Sequence, residues 1–375
     1  MKIEKLFPLG GPVPEEDIVD RENFLNSLTT RLLGGQSITL AGPRRIGKTS
    51  LALEVLRRLK KEGCYTAFVD LFRISDRRGF ALSLIDACLE NRTGITKTAS
   101  ELIKNIKNIA GSASLALKLR DLEIDFRLLE RDRDEDRLLD YALDLPDVLA
   151  GKEKKQMVVV FDEFQEASRI AGREIYKKMR AHFQMHQNVS YLFLGSKEDL
   201  MKNIFATSKQ AFYRFALTLP IPPIPEDAWT EYIAGKFDSA GFGIDEDSIR
   251  EIVKLTGGHP QDTMIVCSEV YHSLLETFEK KLSLETVRIG YERALHALSP
   301  LFDRIIDEIN ENPHSARVLK RIARRERVYS RKERPNNIKR AIDFLMAKGI
   351  IEKSGRGVYK FTEPMLQEYI LRQLS

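Results

Sequence analysis

The sequence predicts an α/β chain: a parallel sheet bearing a phosphate-binding loop, then a helical lid, then a C-terminal winged helix-turn-helix. Three observations predict it. First, Gly42-Pro43-Arg44-Arg45-Ile46-Gly47-Lys48-Thr49 fits G-x-x-x-x-G-K-[ST] at every fixed position. Second, strand-length apolar runs alternate with helical periodicity up to residue 219, the pattern of a parallel sheet covered by helices. Third, four prolines within residues 220–225 stop that alternation, and the chain beyond them is helical until a glycine-tipped hairpin.

Residues 8–16, at the start of the chain, are punctuated by proline and glycine and read as an extended arm. Asp20 is placed to cap a helix over residues 21–33 that stops at Gly34-Gly35. Residues 37–41 read as a buried strand feeding the phosphate loop, and residues 50–59 carry apolar positions at helical spacing behind it. Strand, glycine loop and helix in that order make a phosphate site, because glycine lets the backbone wrap an anion and the helix start offers unpaired N–H groups. A second strand is expected at 64–70 and a helix at 80–91. Leu115, Leu117 and Leu119 alternate in one phase and Leu122, Ile124, Phe126 and Leu128 in the other, which reads as a hairpin turning at Arg120-Asp121. The mixed-sign run over residues 130–137 reads as a solvated helix start.

Met157-Val158-Val159-Val160-Phe161 is apolar throughout, as a central parallel strand requires, and it ends at Asp162-Glu163. A helix (173–186), a strand (190–195), a helix (197–213) and a strand (215–219) complete the first domain, residues 1–223. The lid is expected over 224–299, with helices at 226–240, 245–256, 261–278 and 283–298. The third domain, 300–375, holds three helical segments and a hairpin around Ser354-Gly355-Arg356-Gly357.

Composition narrows the class. Three hundred and seventy-five residues favour two or three domains. The apolar runs are strand-length, so no membrane span is expected and a cytoplasmic location is the default. Cys64, Cys88 and Cys267 are too scattered for a metal or redox motif and read as buried thiols. His182 and His186 have the i, i+4 spacing of a zinc pair, but Phe183 stands where a zincin needs Glu, so they read as a solvated helix face.

The chemistry concentrates at the loop. Lys48 is expected to reach the β- and γ-phosphates and Thr49, beside Ser50, to ligate Mg²⁺ through its hydroxyl, with Asp162 as the carboxylate of the metal shell. Glu163 is placed to orient and polarise an attacking water. Ser196, at the end of the strand after Asp162, is a γ-phosphate sensor, a helix cap, or both. Arg214, before the last strand, is placed as an arginine finger acting on its own or a neighbour's phosphate. Arg44 and Arg45 lie inside the loop, where they meet either the nucleotide or a partner.

These motifs together look like the AAA+ class within the ASCE-type P-loop ATPases. More narrowly they resemble the archaeal-type ATPases allied to the STAND signalling NTPases and the origin-recognition initiators. Ile18-Val19-Asp20-Arg21-Glu22 is similar to the box those proteins place over the adenine, with Asp20 where glycine is usual. Gly258-His259-Pro260 is similar to their G-x-P turn in the lid. The resemblance implies ATP and ADP as ligands, Asp20, Arg21, His259 and Pro260 near the adenine, and Mg²⁺-dependent hydrolysis. No arginine at residues 257–261 matches a sensor 2 position.

Between Arg317 and Arg340 eleven basic residues stand against two acidic ones, while the whole chain carries only +5. On a winged helix that is a footprint for a phosphate backbone, with Asn336-Asn337-Ile338-Lys339-Arg340 near the start of the groove-reading helix. The resemblance equally implies a protein-interaction module. The sequence therefore predicts an ATP-driven switch whose nucleotide state repositions a basic C-terminal module, with duplex DNA as one partner that module fits. A protein partner or a second copy of the chain is the alternative, and a non-hydrolysing scaffold the third reading.

Overall fold

Five parallel strands form the sheet in the order β2-β3-β4-β1-β5: β1 (Ile38–Ala41), β2 (Tyr65–Asp70), β3 (Met157–Asp162), β4 (Val189–Gly195) and β5 (Leu217–Thr218). This computed structural model describes residues 6–90, 135–243, 245–329, 334–355 and 357–373. The hairpin expected across residues 115–128 lies outside them, as do residues 130–134 of the charged run and Arg331, Lys332 and Arg356.

The two faces of the sheet arise from strand periodicity. Val158, Val160, Leu192 and Leu194 pack on one side with α1 (Glu22–Leu33) and α2 (Lys48–Lys61). Their neighbours Met157, Val159, Phe161, Tyr191 and Phe193 pack on the other with α3 (Arg77–Leu89) and α4 (Glu135–Glu153). Two short helices lie between β3 and β4: α5 (Ala167–Ala171), which the sequence did not suggest, and α6 (Ile175–Phe183).

Three expectations need correction. Asp20 does not cap α1: it sits one residue too early at φ 48, and Arg21 occupies the cap position without a side-chain bond. The helix after β4, α7 (Glu198–Ala206), stops seven residues before Tyr213. The chain then turns back on itself so that Phe212 enters a ring cluster with Phe164, Phe193 and Phe205. β5 is shorter than expected because Phe215 still belongs to the preceding turn, its N–H donating to Phe212 O, and the sheet bonds run only from Leu217 N–H to Leu219 N–H before Pro220, which brings none.

The lid comprises α8 (Glu226–Ser239), α9 (Glu246–Thr256) and α10 (Pro260–Thr277), and it passes into a long helix, α11 (Leu284–Asn310). That helix was expected to end at residue 298, yet it carries Pro300 in its interior and crosses the expected boundary between lid and C-terminal module. One stripe, from Val287 and Tyr291 to Phe302 and Ile309, is buried over both parts, and this burial outweighs the backbone bond the proline forfeits.

The C-terminal module is α12 (Pro313–Ala323), α13 (Pro335–Ala347), an antiparallel pair β6 (Ile351–Gly355) and β7 (Val358–Phe361), and a last helix, α14 (Pro364–Gln373). The last helix was not anticipated. Lid and module share one apolar core, which also takes in Leu6, Phe7 and Val19 from the N-terminal arm. Among the described residues no helix is long and apolar enough to cross a membrane.

Candidate functional site

β1 delivers the chain into the loop, and α2 begins at Lys48 with Gly47 as its cap. Gly47 lies at φ 92, a conformation side chains resist, and this turns the first N–H groups of α2 inward. They open on a cavity of about 1170 Å³ floored by Arg44, Arg45, Ile46, Gly47, Lys48, Thr49 and Ser50. Asp70, Asp162 and Glu163 form one wall, and Ile224, Trp229, Pro260, Gln261 and Met264 form the lid side.

The polar centre is tight. Thr49 Oγ1 donates to Asp162 Oδ2 at 2.7 Å, and Glu163 N–H donates to Asp162 Oδ1 at 2.9 Å. Burial raises the Asp162 carboxyl above its ordinary range; the Thr49 bond opposes this and the Glu163 charge adds to it. Lys48 is buried, and its Nζ donates to the carbonyls of Gly42 (2.8 Å) and Pro43 (2.5 Å). Burial pushes its pKa down to about 8, against the pull of Glu163 and Asp162. A buried carboxylate beside a hydroxyl oxygen suits a hard divalent cation, and a desolvated ammonium beside helix N–H groups suits a phosphate.

Because β4 lies between β1 and β3, its end brings Ser196 to Glu163. Ser196 Oγ and N–H both donate to Glu163 Oε2, at 2.7 and 3.3 Å, and the Gln165 amide donates to the same oxygen. Ser196 is not the cap of α7, since Lys197 holds that position without a side-chain bond.

The N-terminal arm closes the cavity. Residues 8–13 and 17–19 line it, and Val13 N–H donates to Ser50 Oγ at 3.1 Å. At both of its ends the arm is anchored on the lid: Phe7 packs on Phe237 with ring centroids 5.3 Å apart, and Asp17 accepts from Tyr232 Oη at 2.6 Å. Lys236 pairs with the same Asp17 carboxylate at 2.5 Å.

The remaining sequence candidates divide. Pro260 and Arg21 line the cavity, and Arg21 is buried, donating to Pro223 O at 3.4 Å. Asp20 is exposed and does not line it. His259 caps α10 and instead lines a second cleft of about 1140 Å³, between the sheet domain and the C-terminal module, together with Gly42 and Pro43. Arg214 is exposed, with its guanidinium 5.2 Å from the centroid of its own Tyr213 ring, and lines neither cavity. Arg45 pairs with Glu363 of the C-terminal module at 3.0 Å.

Sequence reasoning missed Gln165, Trp229, Met264 and Glu363, which carry no local pattern. Asp70 had a signal: it ends β2 as Asp162 ends β3, and the two are register partners. His182 bonds Asp144 (2.6 Å) and Asp140 (2.9 Å), and His186 bonds Tyr191 Oη (2.6 Å), so both are tied into structure away from this site.

A family profile described as an ATPase domain predominantly from Archaea matches residues 18–265. Among solved structures the chain is similar to a Walker-type ATPase of Pyrococcus abyssi, at TM-score 0.70 and 20% identity over 98% of this chain and 99% of that one. It is also similar to the ORC2 protein of Aeropyrum pernix, solved as ADPNP-ADP complexes, at TM-score 0.59 and 15% identity over 100% and 99%. The ORC1 protein of the same organism, solved in complex with DNA, aligns at TM-score 0.51 and 15% identity over 96% and 97%. At these identities the likenesses show the fold. No curated protein matches the chain.

Proposed function

We propose, from the premise that this chain belongs to the family of ATPase domains predominantly from Archaea, that it binds and hydrolyses ATP with Mg²⁺ and works as a molecular switch. The observation that carries the reading is the Thr49–Asp162 contact of 2.7 Å with Glu163 beside it at the cavity wall. Lys48 and the N–H groups of α2 hold the phosphates. Thr49 and Asp162 are the oxygen ligands for the cation, which when bound supplies charge neutralisation at the phosphates. Glu163 accepts the proton of the attacking water, and Ser196 fixes the carboxylate that does so. Pro260, with Trp229 and Met264 around it, supports the base on the lid side, the position adenine takes in the resemblance. Arg214, exposed on the domain edge, serves a neighbouring copy rather than its own site.

The moving part is the C-terminal winged helix beyond α11, which ends at Asn310, and the sheet domain gives way to the lid at about residue 223. The Arg45–Glu363 pair supports this, because a loop that must close on phosphate is tied directly to that module. Helix α13 rests against α7, with Lys339 and Arg340 exposed. Arg317, Lys320, Arg324, Arg325, Arg327 and Arg334 are exposed nearby, which favours duplex DNA as the partner.

ATPase turnover measured with and without duplex DNA at two salt concentrations tests both halves. Stimulation by DNA that fades with added salt supports the reading, and turnover indifferent to DNA favours a protein partner. Glu163→Gln should lower turnover by about 10²-fold or more while ATP stays bound; unchanged turnover refutes the role of Glu163.

A further inference from the structure

All three donors to the Glu163 carboxylate converge on one oxygen. Ser196 Oγ, Ser196 N–H and the Gln165 amide all donate to Oε2, and among the described residues Oε1 carries no hydrogen bond. A carboxylate only accepts, so the Gln165 nitrogen must face it and the Gln165 carbonyl oxygen must point away. That carbonyl oxygen is buried and has no hydrogen-bond partner.

A buried acceptor left unpaired is costly, and the surroundings are built to keep the side chain where it is. Gln165 is 5% exposed. Its backbone carbonyl accepts from Tyr176 Oη (3.1 Å) and Ser168 Oγ (3.3 Å), which pins the turn after β3. Gly195 makes room for the amide: a Cβ there would stand 2.9 Å from Gln165 Oε1 and 2.3 Å from Met201 Cγ. Gln165 does not line the nucleotide cavity, whereas Glu163 does. Among the described residues its side chain reaches the cavity wall through its bond to Glu163.

We infer that Gln165 is a positioning residue for hydrolysis. It clamps Oε2, together with Ser196, and leaves Oε1 as the oxygen that takes the proton of the attacking water. Glu163 itself stands in the cavity wall, with its backbone at φ 51. A carboxylate clamped by one oxygen cannot rotate away between turnovers, which is the geometric demand on a general base.

The role of Gln165 rests on the proposed role of Glu163, and the experiment separates the two. Gln165→Met keeps the length of the side chain and removes the donor. The expected result is a fall in kcat of about tenfold with KM for ATP held within about twofold. Binding of a fluorescent ATP analogue and the thermal midpoint report whether the site still forms, and Gln165→Leu serves where Met does not fold.

In a Glu163→Gln background the same substitution should change residual turnover no further. Combined with Ser196→Ala it should cost less than the product of the single effects, because both donors serve one oxygen. A loss confined to KM, fully multiplicative effects, or an equal further loss in the Glu163→Gln background overturns the role of Gln165. Full turnover in Glu163→Gln overturns the hydrolytic reading instead. Full turnover in Gln165→Met alone leaves that reading standing and removes only the role of Gln165.

Discussion

Arg45 in the phosphate loop and Glu363 at the start of the last helix are joined by an ion pair of 3.0 Å across 318 residues of chain. The junction has a second tie, since Met365 N–H donates to Asp262 Oδ2 at 3.3 Å, close in the chain to the Pro260 that lines the nucleotide cavity. The loop and the lid turn therefore both hold the same short segment of the C-terminal module. Glu363→Gln should release one tie, at a cost of roughly 1 kcal/mol for a partly exposed pair. Amide exchange over residues 358–373 should rise in that variant. The double exchange Arg45→Glu with Glu363→Arg should restore protection, and exchange unchanged in the single variant would remove the coupling.

Lys48→Met should lower ATP affinity by about 10- to 100-fold, the loss expected for one charge-assisted contact to phosphate. The apo protein should keep its thermal midpoint, because burial already disfavours the charged form of this lysine. Nucleotide titration and a melting curve on the same preparation check both statements.

Gly290→Ala tests the packing of lid against long helix. Alanine in mid-helix normally gains about 1 kcal/mol over glycine. Here a Cβ would stand 2.4 Å from Val270 Cγ2 and 2.8 Å from the Val270 backbone nitrogen, and a backbone atom cannot rotate away. Overpacking of this kind costs about 1–3 kcal/mol, so a net loss of stability is expected in denaturant unfolding.

His186 supplies a pH dependence. Burial holds its pKa below the ordinary histidine value, against the opposing pull of Asp147 and Asp144 and with the neighbouring His182 acting in the same direction as burial. The unfolded chain then binds a proton that the folded chain refuses, so stability falls as pH drops through about 6.5. Melting temperatures measured across that range should decline on the acid side, and His186→Gln should flatten the decline. An unchanged slope would assign it to other groups.

Much of the site was legible because its parts are local. The loop motif, the strand before it and the helix after it are contiguous, and the apolar run of β3 marks its own end at Asp162 and Glu163. Asp20 misled because a cap residue and its neighbour look alike in sequence, while only the backbone at φ 48 separates them. The long helix misled because Pro300 is a local stop signal that burial on two domains overrides.

The sequence by itself determined that this chain carries a phosphate loop on a parallel sheet, since glycine, lysine and a strand-end carboxylate act at fixed short spacings. It also determined the basic concentration near the C-terminus. Only the tertiary structure decided what meets the loop: the arm that roofs it, the Gln165 amide on Glu163, and Glu363 on Arg45. Those contacts join residues far apart in the chain or buried in a turn without a pattern. Their energy comes from desolvated polar groups finding partners, which no local periodicity records.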